Sequence, residues 1–218
     1  AIKAGFTHVK FKVGRDLQDD IRRLKIAREV LGNQVQLMID ANQVWEVNQA
    51  IEWVNKLQFA SPFFIEEPTS PDDVIGHKTI KNGVFPIKVA TGEMCQNRII
   101  FKQFIKEDAI DIIQIDSCRM GGLNEVLAVM IMAEKYKKPV WPHAGGVGLC
   151  EYVQHISMID YLLISCEKNS KRIEYVDHLH EHFLHPCKIM NGNYMAPLDP
   201  GFSIEMKSST LIDYLFKS

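Results

Sequence analysis

Short apolar runs that end in a charged residue recur along this chain at an almost constant interval. VKFKVG carries Lys10 and Lys12, LMIDAN carries Asp40, FIEEP carries Glu66, ATGEM carries Glu93, IQIDS carries Asp116, and PVWPHAG closes the series at His143. Counted from Lys12, the intervals are 28, 26, 27, 23 and 27 residues, about the length of one strand, one helix and their two turns. Packing alone does not ask for a charge at the tip of every hydrophobic strand. A site assembled from many strand ends does.

The segments between these runs have helical periodicity. Residues 17–31 place Ile21, Leu24, Ala27 and Leu31 on one face, with Gly32 as a stop. Asn48–Leu57, Arg98–Ile105, Asn124–Tyr136 and Tyr152–Tyr161 read as further helices. Residues 35–40, FFIEEP, Ile87–Ala90, IDIIQID, KPVWPH and YLLISC read as strands after the first, HVKFKV. Strands alternating with helices of this length imply βαβ units and a parallel sheet. An open doubly wound sheet gathers its ligand at one switch point. A (β/α)8 barrel collects residues from nearly every strand end, and six successive strand ends here carry candidates. The expected fold is therefore α/β, a TIM-type barrel. Seven strands are visible, so the first strand of the eight is expected to lie outside this chain. From about Glu174 the repeat is lost, and NGNY and PLDPG read as loops before a short terminal helix.

Composition narrows the function classes. The chain has 218 residues, 46% hydrophobic and 24% charged, with net charge −2. No basic field points to nucleic acid or an anionic membrane. The longest apolar run, from Val126 to Ala133, is too short to span a bilayer. Five scattered cysteines without a CxxC pair read as reduced intracellular thiols. A soluble intracellular protein is expected, and a homo-oligomer is compatible with the sequence. Gly121, Gly122, Gly145, Gly146 and Gly148 do not form a dinucleotide-binding GxGxxG. The segment DHLHEHFLH holds His178, His180, His182 and His185, but it lacks HExxH and reads as a solvated rim, not a zinc site.

The charged residues suggest a chemistry. Alternation puts Lys10 and Lys12 on one strand face. Mutual repulsion, and a nearby dication, are expected to lower the lysine pKa, as a base requires. The bland alternative is a surface KxK. Asp40, Glu66 and Glu93 repel one another at a barrel mouth unless a cation lies between them, and all-oxygen ligation favours Mg2+. Helix N-caps are the alternative for each. Asp116 and His143 on adjacent strand tips suit an acid/base dyad. A satisfied core histidine is the alternative, against which stands the AGGVG run that lets backbone approach a ligand. Lysines facing a dyad across a metal suit removal of a proton α to a carboxylate, with an enediolate stabilised by the cation.

KFK, IDAN, IEEP, GE and the Asp–His pair, in that order, resemble the enolase superfamily in its mandelate racemase-like subgroup. ATGEMCQNR, QIDSCRMGG, PHAGGVGLCEYVQH, EYVDHLHEHF and DPGFSIEM resemble more narrowly the L-fuconate dehydratase family, which has animal mitochondrial members. The resemblance implies a modified, enolase-like barrel domain over residues 1–175, comprising barrel strands two to eight, with residues 176–218 packing back on it or on an N-terminal capping domain outside the chain. It implies Mg2+ on Asp40, Glu66 and Glu93. It implies Lys12 as base with Lys10 assisting, Asp116–His143 as the dyad that expels the 3-hydroxyl, and Glu174 as a glutamate near the end of the eighth strand. The reaction implied is dehydration of a sugar acid, L-fuconate to 2-keto-3-deoxy-L-fuconate, in L-fucose catabolism. A mitochondrial location is compatible with it. Another sugar-acid dehydratase or epimerase, or a truncated isoform with a binding or regulatory role, are the alternatives.

Overall fold

Five parallel strands, each followed by a helix, form the spine of the molecule. The computed structural model describes residues 1–216. The strands are β1 His8–Lys12, β2 Gln36–Asp40, β3 Phe64–Glu66, β4 Lys88–Thr91 and β5 Ile112–Ile113, hydrogen-bonded in chain order. The helices are α1 Leu17–Leu31, α2 Val47–Leu57, α3 Val74–Gly83, α4 Arg98–Lys106, α5 Leu123–Lys135 and α6 Leu149–Ile159. A hairpin of β6 Lys188–Met190 and β7 Asn193–Met195 and a short helix α7 Ser208–Asp213 follow. No helix among the described residues is long and apolar enough to cross a membrane.

Local chemistry sets the helix ends. Asp16 caps α1 by accepting the Asp19 N–H, Asp73 caps α3 through the Gly76 N–H, and Asn97 caps α4 through Ile99 and Ile100. Gly148 precedes α6 with φ +76, and a Cβ there would stand 2.8 Å from Phe183, so only glycine fits this junction.

Strand alternation divides the core into two layers. Leu37, Ile39, Ile65, Val89, Ile113, Ile115 and Val140 face outward and pack under the helices with Phe101, Phe104, Leu24 and Val129. Fully burying each such side chain is worth about 1.5–3 kcal/mol. On the other face Met38, Phe64, Ala90, Ile112 and Trp141 form a smaller inner layer. Two residues further along the same strands, on that same face, stand Asp40, Glu66, Gln114 and His143. The apolar layer thus forms a floor beneath the charged one.

Beyond β5 the sheet continues through one bridge, Ile113 to Val140, and residues 140–143 hydrogen-bond to it. KPVWPH is thus extended, as the sequence predicts, but IDIIQID keeps only two residues of regular strand. YLLISC is a correction. Residues 160–164 continue α6 as a wider helical turn, closed by Ser165 N–H to Asp160 O at 2.9 Å. The helical phase carries through: Val153, Ile156 and Asp160 are buried, whereas the adjacent Leu162 and Leu163 are both exposed, a pattern no half-buried strand gives. Lys171 pairs with Asp160 at 3.0 Å and holds the turn. The place beside residues 140–143 goes instead to residues 171–174, where Glu174 N–H donates to Pro142 O and Trp141 Nε1–H to Ser170 O. Between this segment and the unpaired edge of β1 lies a cavity of about 1120 Å³, so the sheet does not close on itself.

Candidate active site

The register of the parallel strands assembles the site. Lys12, Asp40 and Glu66 are direct neighbours across β1, β2 and β3. Three charged residues therefore stand abreast at one level, on the face above the apolar floor. Lys10, two residues earlier, shares that face and reaches up to it.

Lys10 is the hub of the cluster. Its Nζ lies 2.5 Å from Glu66 Oε1, 2.9 Å from Glu174 Oε1 and 3.4 Å from Asp40 Oδ2. Lys12 Nζ donates to Asp40 Oδ2 at 2.5 Å, with its side chain 62% exposed toward the mouth. The expected depression of the lysine pKa is not found at Lys10. Burial works in that direction, but Glu66, Glu174 and Asp40 outweigh it and hold the ammonium above its ordinary range. Repulsion from the second lysine is outweighed by the three carboxylates that surround the first.

The carboxylates differ in environment. Burial raises Glu66 to about 8, against the pull of Lys10 and with repulsion from Asp40 and Glu174 added. Burial would also raise Asp40, but Lys10 and Lys12, with the Asn42 N–H, bring it below the usual carboxylate range. Gln114 Nε2 donates to Glu66 Oε2 at 2.6 Å inside the protein. The tips of β2 and β3 lock together next to these groups. Asn42, Gln43 and Glu67 all take left-handed backbone, with φ of 45, 67 and 43. Gln43 Nε2 donates to Glu67 Oε1 at 2.7 Å and Gln43 N–H to Glu67 O at 2.8 Å. Burial, then Glu93, pushes Glu67 to about 7. Such strained residues persist where surrounding structure holds them and concentrate at functional sites.

The structure brings Asp116 and His143 into contact. His143 Nδ1–H donates to Asp116 Oδ2 at 2.8 Å, and Asp116 Oδ1 accepts the N–H groups of Cys118 and Arg119. Burial opposes the charged forms of both residues. Their hydrogen bond overrides it, so Asp116 lies low, and His143, with Glu174 and Glu93 beside it, rises to about 9. His143 Nε2 faces Glu93 Oε2 at 3.4 Å and Glu174 Oε2 at 3.7 Å. The glycine run lets backbone close in here: a Cβ on Gly145 would meet Nε2 at 2.5 Å. Glu174 links both halves, because one oxygen pairs with Lys10 and the other accepts the Ala144 N–H at 2.7 Å.

All eight sequence-predicted residues are thus brought to one end of the sheet. Gln114, Gln43 and Glu67 were missed. Gln114 could have been found by alternation, two residues before Asp116 on the same strand face. The oxygens of Asp40, Glu66 and Glu93 do not gather within 4.8 Å of one another; the lysine ammonium groups lie among them. The donor set nonetheless fits a hard dication, since it is oxygen only and lies on three successive strand tips. The histidine-rich segment is less solvated than expected. His180 lies 2.7 Å from Glu151 and stacks on Tyr175, and His182 faces Thr210.

Comparison with known proteins addresses the family and the fold. A family model described as "Enolase C-terminal domain-like" matches residues 1–210. Human mitochondrial enolase superfamily member 1 is 53% identical over 213 residues, covering 97% of this chain and 48% of the relative. L-galactonate dehydratase of Hypocrea jecorina is 55% identical over 217 residues, covering 98% and 48%. The crystal structure of the human protein superposes with a TM-score of 0.94 over 96% of this chain and 48% of its own. L-talarate dehydratase from Polaromonas sp. JS666, complexed with Mg and L-glucarate, gives 0.83 at 27% identity, over 97% and 56%. The chain spans about half the length of the curated relatives it matches.

Proposed function

The chain belongs to the enolase C-terminal domain-like family, within the mandelate racemase/enolase superfamily, and from that premise we propose that it carries the active site of a Mg2+-dependent sugar-acid dehydratase, a hydro-lyase. In this reading residues 1–175 are strands two to eight of a modified (β/α)8 barrel and residues 176–218 pack back upon it. The cavity between β1 and residues 171–174 supports that reading, since it separates the two edges a further strand would join. One observation carries the functional proposal: Lys10 and Lys12 on β1 and the Asp116–His143 pair lie at opposite ends of a row of strands whose tips hold Asp40, Glu66 and Glu93.

The residues divide the reaction between them. Lys12, the more exposed lysine, takes the proton from C2 of the sugar acid. Lys10 stays an ammonium, neutralises the carboxylates around it and positions Lys12. His143, held in the Nδ1–H form by Asp116, delivers a proton from Nε2 to the 3-hydroxyl as the C3–O bond breaks and water leaves. The enol that remains becomes the 2-keto-3-deoxy acid by gaining a proton at C3 and losing the one on its C2 oxygen. Asp40, Glu66 and Glu93 would hold Mg2+, which when bound supplies Lewis-acid stabilisation of charge on the substrate carboxylate. Glu174 orients His143 and Lys10 together.

The substrate proposed is L-fuconate, giving 2-keto-3-deoxy-L-fuconate. L-fuconate is L-galactonate without its terminal hydroxyl, and one relative of high identity is named for L-galactonate. The relatives named for arabinonate and for L-talarate and galactarate also act on sugar acids, which keeps another member of that class as the second reading. The test incubates L-fuconate, L-galactonate, arabinonate and galactarate with Mg2+ and traps 2-keto product with semicarbazide. It uses this chain and a chimera joined to the N-terminal half of the human relative. Product from L-fuconate, lost in Lys12→Ala and His143→Asn, is expected. Product from another acid alone would overturn the substrate, and activity surviving both substitutions would overturn the roles.

A further inference from the structure

Ligand-type side chains also cluster on the far side of Glu174, away from the carboxylates of the strand tips. Cys150 lies in the first turn of α6, His180 in the turn that follows residues 175–179, and Cys187 immediately before β6. Both sulfur atoms and a His180 ring nitrogen lie within 4.8 Å of one another. Cys187 Sγ is 3.8 Å from His180 Nδ1. Tetrahedral zinc, with Zn–S about 2.3 Å and Zn–N about 2.0 Å, sets its sulfur and nitrogen ligands about 3.5 Å apart. The spacing of Cys187 and His180 is close to that of two ligands on one ion.

Two further contacts are those a metal site needs. His180 Nε2–H donates to Val176 O at 2.8 Å, so Nδ1, which faces Cys187 and the Glu151 carboxylate, is the nitrogen a metal would take in exchange for a proton. Metal-bound histidines are held in this way by a backbone carbonyl. Glu151, with 1% of its surface exposed, has Oε1 2.7 Å from that same Nδ1 and accepts the Cys187 N–H at 3.2 Å. The Glu151 oxygen does not join the group that lies within 4.8 Å and supports it from behind, while the two sulfurs and one imidazole are softer than the oxygens of Asp40, Glu66 and Glu93 and suited to a different ion.

We propose that Cys150, His180 and Cys187 bind a zinc ion that fastens residues 175–190 to the start of α6, with Glu151 holding His180 and Cys187 from behind. The fourth tetrahedral position would be filled by water, and the role proposed for the ion is to hold structure. Its place gives it something to hold. Cys150 Sγ is 3.8 Å from Ala144 O, and the Ala144 N–H binds Glu174. Tyr194, in the hairpin that follows Cys187, donates its hydroxyl to Glu174 O at 2.5 Å. The ion would therefore set Glu174 and the loop behind His143 from the outside. This holds whether or not the sugar-acid reading does.

The test uses the full chain with Mg2+ in excess to occupy the oxygen site. Co2+ alone is the probe, because only thiolate ligation gives a sulfur-to-cobalt charge-transfer band. One equivalent of Co2+ is expected to produce that band with tetrahedral visible absorption, and one equivalent of Zn2+ to abolish it. Cys150→Ser and Cys187→Ser should each lose the band with unchanged circular dichroism, and Glu151→Gln should weaken zinc binding roughly 10–100-fold. Without any substitution, Zn2+ should shield Cys150 and Cys187 from alkylation while the exposed Cys118 and Cys166 still react. Absence of the band, its survival in both serine variants, unshielded Cys150 and Cys187, or their joining as a disulfide in zinc-loaded protein would each overturn the proposal.

Discussion

Arg28 supports one prediction that can be worked through from geometry. It lies near the end of α1, at the edge of the sheet opposite the charged tips. Its Nε and Nη2 donate to Ala60 O at 3.1 and 2.6 Å, and its Nη1 donates to Gly32 O and Val35 O at 2.8 and 3.1 Å. One guanidinium therefore ties the end of α1, the entry to β2 and the turn before β3. In Arg28→Met the apolar stem remains and all four bonds go. The Gly32 and Val35 carbonyls lie where water can replace the donor. Ala60 is fully buried, so its carbonyl loses a charged donor with no ready substitute. A charged hydrogen bond of that kind is worth about 1.5–3 kcal/mol, and the two solvated carbonyls add about 0.5 kcal/mol each. The expected loss is about 3 kcal/mol, or about 6–12 °C in melting temperature for a chain of this size. Urea and thermal unfolding followed by circular dichroism measure it, with Arg22→Met as control, since Arg22 only pairs with exposed Asp19. Because Arg28 is remote from Asp40 and Glu66, Mg2+-dependent stabilisation should survive in the variant below its transition. A loss no larger than that of Arg22→Met would refute the reasoning.

Three further outcomes are expected. Magnesium at one hundred times its Kd should stabilise the protein by about 2.7 kcal/mol, and Asp40→Ala should abolish that shift in a melting experiment; an unchanged shift removes Asp40 from the metal set. His8 is held down to about 4 by burial and then by Arg172, so its contribution is complete above pH 6.5, its ordinary value, and is lost as pH falls through 4. After discounting for partial exposure this amounts to about 1–2 kcal/mol, and urea midpoints should fall over that range less steeply in His8→Gln than in the parent. Gly148→Ala, forced to keep a positive φ and to displace Phe183, should cost about 1–3 kcal/mol and speed proteolysis between residues 175 and 195; an unaltered cleavage pattern would contradict the role given to that junction.

The sequence by itself determined the parallel strand–helix order, the level at which charges stand and the pairing of Asp116 with His143. The physical reason is local. A period of two residues along a strand and a period near 27 along the chain leave little freedom over which face and which end a residue occupies, so Lys12, Asp40 and Glu66 had to stand abreast once the strands were parallel. Tertiary structure decided the rest. YLLISC is as apolar as a strand, yet the helical phase inherited from α6 and the Lys171–Asp160 pair keep it helical, and the strand position goes to residues 171–174. Lys10 looked like half of a repelling lysine pair until three carboxylates from β2, β3 and residue 174 surrounded it. His180 looked like a rim histidine because Cys150, its thiol partner in space together with Cys187, lies thirty residues away in the chain. Charge environments and ligand sets are sums over neighbours in space, and a linear pattern records only those neighbours that the fold keeps close along the chain.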